Sequence, residues 1–220
     1  MPKSVQIFNK ISDHYEKFNF VSSLGIEKFW RKKLKKFVDG KNNLILDLGT
    51  GTGVFTEEIR DRGIIIGIDP SLKMIMRGRE KREFIKFVLG VGEKLPFKDE
   101  SFNYIVSAYV MRNLDSVEIT LSESLRVLKP GGKMIILEFF PPKNIFFRFF
   151  YKFYLGIVIP FFYKIFYEDS LPVKYFSNSI FTFINVSEFL GLLNKIGFVK
   201  IKIVKNFFGI SFYFFGEKSG

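Results

Sequence analysis

From Asn43 onward, short apolar runs alternate with helix-patterned stretches, and this alternation is the strongest constraint on what the chain can fold into. Leu44-Ile45-Leu46-Asp47-Leu48 runs straight into Gly49-Thr50-Gly51-Thr52-Gly53, followed by a helical stretch from about Thr52 to Arg60. Ile64 to Ile68 is a second buried strand, closed by Asp69-Pro70-Ser71, where Ser71 suits a helix start. Phe84 to Leu89, Phe102 to Ser107 and Met134 to Glu138 supply three more strands, the last after the turn Lys129-Pro130-Gly131-Gly132. Ser116 to Leu128 reads as the helix between the fourth and fifth strands. Strands and helices in this order predict a doubly wound, mainly parallel α/β sheet.

The flanks read differently. Val5, Phe8, Ile11 and Tyr15 recur at helical spacing, as do Phe29, Trp30, Leu34, Phe37 and Val38. Lys28, Arg31, Lys32, Lys33, Lys35 and Lys36 fall between those apolar positions, so the second N-terminal helix is basic and amphipathic. After an interruption from 139 to about 183, Val186 to Ile196 resumes as a helix stopped by Gly197. Val199 to Val204 and Ile210 to Phe215 then form an antiparallel pair at the sheet edge. No repeat and no long linker divides the chain. It reads as one domain with an N-terminal helical cap (1–42), a core (43–138), an insertion (139–183) and a final helix and strand pair (184–220).

Residue inventory narrows the chemistry. With no cysteine and a single histidine, His14, the chain offers no disulfide, no thiolate nucleophile and no cysteine- or histidine-rich metal site, so no metal is expected. His14 itself reads as a surface residue. The segment from Met1 to Lys17 has no apolar h-region, and Phe153 to Tyr163 is too short to span a bilayer and is interrupted by Pro160. Glycines where a strand gives way to a helix let a backbone approach a ligand. A Gly-rich turn alone fits a plain tight turn or a nicotinamide cofactor as well. Asp69 adds weight: at the tip of the second strand its carboxylate can accept from both hydroxyls of a ribose, although an Asp before Pro70 also suits a simple turn.

Asp47–Gly53, Gly67-Ile68-Asp69-Pro70-Ser71, Leu95-Pro96-Phe97 and Leu128-Lys129-Pro130-Gly131-Gly132 occur in the order and spacing of class I S-adenosylmethionine-dependent methyltransferases, which the chain resembles over roughly residues 43 to 138. The resemblance implies a Rossmann-like seven-stranded sheet with its last strand antiparallel, and S-adenosylmethionine as cofactor. It implies that Gly49, Thr50, Gly51 and Thr52 meet the methionine end, with Asp47 ordering the loop. Asp69 and Pro70 would lie at the ribose, Val91 and Gly92 at the adenine, and Ser107 and Ala108 at the end of the fourth strand. Val91 departs from the family's usual Asn or Asp, so adenine recognition rests on the Gly92 N–H and apolar packing, at a cost on the order of 1 kcal/mol.

Ala108-Tyr109-Val110-Met111-Arg112-Asn113-Leu114 resembles the "LRN" segment of the ubiquinone/menaquinone-biosynthesis C-methyltransferase family. Phe8, Tyr15, Asn19, Ser23, Gly25, Trp30 and Arg31 agree with it, as do Tyr175, Ser179-Ile180 and Phe183. The C-terminal edge is looser: Phe208-Gly209-Ile210 keeps part of a Gly-Gly-Ile pattern, and Phe214 stands where the family has a histidine. The resemblance implies C-methylation of a lipophilic demethylquinol, most simply demethylmenaquinol. Arg112 and Asn113 would act at the ring oxygen and Tyr15 over the cofactor or substrate entrance. The bland readings are a surface salt bridge from Arg112 to Asp115 or Glu118, and a core aromatic at Tyr15.

Net charge is +12, and 30 of 220 residues are Phe. Asn144 to Tyr167 alone holds twelve Phe or Tyr among twenty-four residues, punctuated by Arg148, Lys152 and Lys164. Such a block can be core, a lid, or a surface that receives a polyprenyl tail and dips into a lipid interface. The expectation is a lid or peripheral contact with the anionic inner membrane face of a cytoplasmic enzyme. A nucleic-acid partner is not expected, because the aromatics are blocked together rather than interleaved with cations. Another small aromatic or a lipid amine, and less so RNA, remain alternative acceptors; the oligomeric state is open.

Overall fold

The computed structural model describes residues 3–23, 25–166, 171–206 and 209–220. Three short helices open the chain: α1 (Lys3–Ile11), α2 (Tyr15–Ser23) and α3 (Ile26–Leu34). Then come β1 (Asn43–Leu48), β2 (Gly63–Asp69), α4 (Leu72–Lys81), β3 (Ile85–Leu89), β4 (Phe102–Ala108), α5 (Val117–Val127) and β5 (Leu128–Phe139). The insertion is helical: α6 (Ile145–Phe153), a π-helical turn (Tyr154–Val158), α7 (Ile159–Phe166) and α8 (Leu171–Thr182). The chain closes with α9 (Val186–Ile196), β6 (Val199–Asn206) and β7 (Ser211–Glu217).

The seven strands run in the order β3-β2-β1-β4-β5-β7-β6. The first five are parallel, and β7 inserts antiparallel between β5 and β6. Alternate residues feed opposite faces, as the two-residue period of a strand requires. Ile45, Ile65, Val106, Ile135 and Tyr213 pack with Trp30, Leu34, Ile75 and Ile180 on one face. Leu46, Leu48, Ile105, Ile136 and Phe214 pack with Leu121, Phe189 and Leu193 on the other. Each such large side chain removed from water contributes roughly 1.5–3 kcal/mol. Both faces are covered, which is why the middles of the parallel strands, such as Leu44 to Leu46 and Met134 to Leu137, are apolar on both sides.

Local signals set most element ends. The Ser71 and Ser116 hydroxyls accept from the Met74 and Ile119 N–H groups and cap α4 and α5. Asn185 and Glu188 form a reciprocal capping box on α9, and Gly197 ends that helix in the left-handed region. Two expectations need correction. No helix starts at Thr52, because Gly53 is left-handed (φ 80); a 3-10 turn begins only at Thr56 and bends again at Ile59. The fifth strand begins at Leu128 rather than Met134, with Lys129–Gly132 as a bulge across which the pairing jumps from Phe102↔Leu128 to Tyr104↔Lys133.

The phenylalanine excess splits in two. Phe102, Phe140, Phe189 and Phe214 are fully buried, with the Phe189 and Phe214 rings 4.8 Å apart. On α6 the opposite holds: no residue is buried, and Phe146, Phe149 and Phe150 are 74%, 69% and 66% exposed. Leu155, Ile159 and Tyr163 root the segment that follows in the core. Tyr167 of the aromatic block and Phe208 lie outside the described residues. Among the described residues no single helix is long and apolar enough to cross a membrane. The pair α8 and α9 is apolar enough together, but meets at 71° and buries Val173, Ile180, Phe189 and Leu193 inside the protein.

Candidate active site

β1 ends on a buried carboxylate. Asp47 Oδ2 accepts from the Thr50 hydroxyl at 2.6 Å and the Thr56 hydroxyl at 3.1 Å, which ties the Gly loop to the strand that launches it. Gly49 has no alternative there: its φ is +67°, and a Cβ would lie 2.4 Å from a Val110 methyl. From the other side Asp69, at the tip of β2, accepts from the Gly51 N–H and the Ser71 N–H, both at 2.8 Å and one on each oxygen. Burial raises both acids, Asp47 to about 7 and Asp69 to about 6, against the hydrogen bonds that favour their charged forms.

A cavity opens beside this loop, where the carboxyl ends of β1 and β4 diverge. Of the residues singled out in the sequence, Tyr15, Gly49, Gly51, Asp69, Pro70, Val91, Gly92, Ala108 and Asn113 line it. Asp47, Thr50, Thr52 and Ser107 stand behind its wall as supports: the Thr52 carbonyl accepts from Arg82, and the Ser107 hydroxyl donates to the Leu48 carbonyl. Ser4, Val5 and Phe8 of α1 cover the cavity, and the Ser71 hydroxyl holds α1 by donating to Asn9 at 2.6 Å. These residues fit S-adenosylmethionine. Asp69 faces the cavity with a lone pair still free on each oxygen, which suits a ribose diol. Ile68, Met74 and Val91 give an apolar slot of the kind an adenine occupies.

A second cavity adjoins the first and shares Phe8, Tyr15 and Tyr109 with it. Arg112 lies in its wall with a side chain only 5% exposed. Neither partner of the bland reading is used: among the described residues no ion pair joins Arg112 to Asp115, and Glu118 pairs with Lys195. The ion pair is instead with Glu138, fully buried at the end of β5, at 2.6 Å. Arg112 also donates to the Tyr109 carbonyl at 2.9 Å and the Ser179 hydroxyl at 3.1 Å, and its guanidinium carbon lies 5.3 Å from the Phe176 ring centroid and 5.6 Å from that of Phe139.

Asn113 turns to the first cavity, donating to the Tyr109 carbonyl and accepting from the Tyr175 hydroxyl at 3.0 Å. Tyr109 itself is left-handed (φ 63) with a buried hydroxyl lacking a partner among the described residues, and it stacks on Phe139 at 4.4 Å. A non-glycine residue held there costs of order 1–3 kcal/mol, which only a surrounding network sustains. Tyr15 sits over both cavities, edge-on to Phe8 at 6.2 Å. His14 is exposed. Sequence reasoning missed Glu138 as a site residue; its signal was a lone carboxylate inside the apolar run Met134 to Phe140.

Two outcomes follow for stability. Asp47 has a folded pKa of about 7 against 3.8 for the free side chain, so its burial favours the fold below about pH 4 and this contribution is lost as pH rises to 7. The melting temperature of ligand-free Asp47→Asn should match that of the parent near pH 4 and exceed it increasingly towards pH 8, by up to about 4 kcal/mol in stability. Equal melting temperatures at both ends of that range would contradict the buried charge. Glu138→Ala strands the Arg112 guanidinium in an apolar wall at about 3–5 kcal/mol, which calorimetry should read as a loss of about 10 °C, with Glu138→Gln losing less.

Comparison with known proteins agrees with this geometry. The ubiE/COQ5 methyltransferase family model matches residues 2–218. A demethylmenaquinone methyltransferase of Bacillus cereus is 32% identical over 96% of this chain and 94% of the relative. A ubiquinone/menaquinone biosynthesis C-methyltransferase of Rickettsia felis is 32% identical over 89% of this chain and 84% of its own. In fold, a Thermotoga maritima S-adenosylmethionine-dependent methyltransferase, described as a possible histamine N-methyltransferase, superposes with a TM-score of 0.74 at 22% identity, covering 98% of this chain and all of that one. With a Gly loop held between two buried aspartates and a family match over nearly its whole length, the chain belongs to the ubiE/COQ5 methyltransferase family and is an S-adenosylmethionine-dependent methyltransferase.

Proposed function

We propose that this enzyme methylates a ring carbon of a lipid-borne demethylquinol, most simply demethylmenaquinol to menaquinol. The observation that carries the reading is Arg112, a permanently charged guanidinium clamped by Glu138 in the wall of an aromatic cavity that meets the cofactor cavity at Phe8, Tyr15 and Tyr109. The names of the relatives in Bacillus and Rickettsia support the same acceptor class. S-adenosylmethionine supplies an electrophilic sulfonium methyl. The protein's part is to make the acceptor carbon electron-rich and to aim it. Arg112 stabilises the phenolate oxygen, Phe139 and Phe176 give the ring an apolar corner, and Asn113 fixes Tyr175 at the boundary of the two cavities.

A third, almost wholly apolar cavity supports the reading of an acceptor with a polyprenyl tail. It shares Ser23, Phe139 and Phe176 with the acceptor cavity and is otherwise walled by residues such as Ile26, Trp30, Phe147, Phe150 and Tyr154. Phe150 belongs to the exposed face of α6, so the rim of this cavity is also the greasy surface. Lys143, Arg148 and Lys152 flank that surface, and Lys28 and Lys33 lie over the exposed Phe20 and Phe29 rings at 5.0 and 4.9 Å. This pairing of apolar wedge and cations suits an anionic bilayer, on the cytoplasmic side of the inner membrane.

The direct test is transfer of labelled methyl to a short-tailed demethylmenaquinol, with product mass identifying a ring-methylated quinol. An N-methylated lipid, or no turnover by folded, cofactor-loaded enzyme, would sink the acceptor assignment. Arg112→Ala should abolish transfer while leaving the affinity for S-adenosylhomocysteine near normal. In flotation assays the enzyme should bind phosphatidylglycerol vesicles but not phosphatidylcholine ones, and Phe146→Ser with Phe149→Ser should release it at least tenfold. Binding that survives the double substitution would rule out α6 as the docking face.

A further inference from the structure

The acceptor cavity has one carboxylate in its wall among the described residues, Glu27. It lies in the first turn of α3 and is 6% exposed. The left-handed turn at Gly25 brings it there by folding α3 back against α2; a Cβ at Gly25 would stand 2.8 Å from the Phe20 ring. Glu27 Oε1 accepts from Arg31 at 3.2 Å, one helical turn on. No described residue donates a hydrogen bond to Oε2. A buried carboxylate serving only as a structural anchor is expected to use both oxygens.

The mechanism so far leaves the acceptor's hydroxyl proton without a destination in the protein. The phenols in that wall do not serve: burial raises Tyr15, Tyr109 and Tyr175 above the ordinary tyrosine value. Arg112 is a cation, and Asn19 and Ser23 are neutral. We infer that Glu27 is the general base of the reaction, its Oε2 taking the quinol hydroxyl proton while Arg112 holds the phenolate that results. This rests on the quinol reading above.

The balance closes. The O–H bond breaks towards Glu27, and the electron pair left on oxygen is relayed through the ring to the ortho carbon. That carbon forms the new C–C bond as the methyl's bond to sulfur breaks, the sulfur keeping its pair. The methylated carbon then sheds its hydrogen as a proton to water, and Glu27 returns its own proton to the oxygen. Methylated quinol, thioether and one released proton account for every atom. Burial lifts Glu27 above the ordinary glutamate range, Arg31 and Lys28 on its own helix pull it back, and Glu16 of α2 pushes it further up. Facing it in the cavity are Tyr15 of α2, Tyr109 and Arg112 after β4, and Tyr175 of α8.

The test uses the full chain saturated with S-adenosylmethionine, with short-tailed demethylmenaquinol, across pH 5–9. The wild-type kcat should rise along an acidic limb whose midpoint lies above 4.5, the ordinary glutamate value. Glu27→Gln, which keeps the size and the Arg31 contact, should lower kcat about 100-fold and erase the limb. KM and the affinity for S-adenosylhomocysteine should stay within about twofold. Independently of turnover, the 13C carboxyl resonance of Glu27, identified by its loss in Glu27→Gln, should titrate above 4.5 in the S-adenosylhomocysteine complex. A limb that survives the substitution, or a resonance titrating at or below the ordinary value, overturns the assignment. A wild type that binds the thioether, shows the raised resonance and still leaves the quinol unmethylated overturns the acceptor reading instead.

Discussion

Everything chemical in this protein depends on the reversal of strand order at β1. To one side the sheet continues through β2 and β3, to the other through β4, β5 and the antiparallel β7. The loops leaving β1 and β4 therefore swing to opposite faces and leave a crevice between their carboxyl ends. The Gly loop, Asp69 and the Tyr109–Asn113 turn all open onto that crevice, and α1 and α2 roof it. The cavities follow from topology first and side chains second, which is why the supports Asp47, Thr50 and Ser107 can lie behind the wall and still shape it.

The site is rich in buried acid: Asp47, Asp69, Glu27 and Glu138 are each at most 9% exposed, and burial raises all four. Only Glu27 and Glu138 have an arginine partner, Arg31 and Arg112. Asp47 and Asp69 are held by hydroxyl and backbone donors alone, an arrangement that costs stability when the carboxylates ionise. Such strain is tolerated where it fixes geometry a ligand needs. The left-handed Tyr109 belongs to the same economy: its carbonyl anchors both Arg112 and Asn113, so relaxing its backbone would unseat both side chains.

Local patterns made much of this legible. The strand and helix order, the serine caps of α4 and α5, the stop at Gly197 and the antiparallel closing pair all rest on nearest-neighbour chemistry that a sequence carries openly. The same holds for the Gly loop and Asp69, whose spacing is set by two adjacent strands, β1 and β2, and the short 3-10 turn between them. What stayed hidden is what long-range folding decides. Arg112 meets Glu138 across 26 positions and Ser179 across 67, and no periodicity announces either contact. Glu27 reads as one more charge on a basic helix until the turn at Gly25 folds it inward. The helix expected from Thr52 failed for a local reason, since a left-handed Gly53 cannot sit in a helix.

The aromatic excess had two destinations that composition cannot separate. Rings that close the far side of the sheet, around Phe140, Phe189 and Phe214, bury their area against one another and need no partner. Three rings on α6 gain little from the fold: with Phe146, Phe149 and Phe150 in water the helix forgoes the transfer energy those side chains could contribute. A chain under selection for stability alone has no use for that face, and adjoining exposed rings of this kind mark a surface with a partner more often than one without. The same helix lends Phe147 and Phe150 to the rim of the apolar cavity. Exposure and cavity mouth therefore coincide on one element, and that coincidence is the reason this face and this cavity are proposed for a lipid tail.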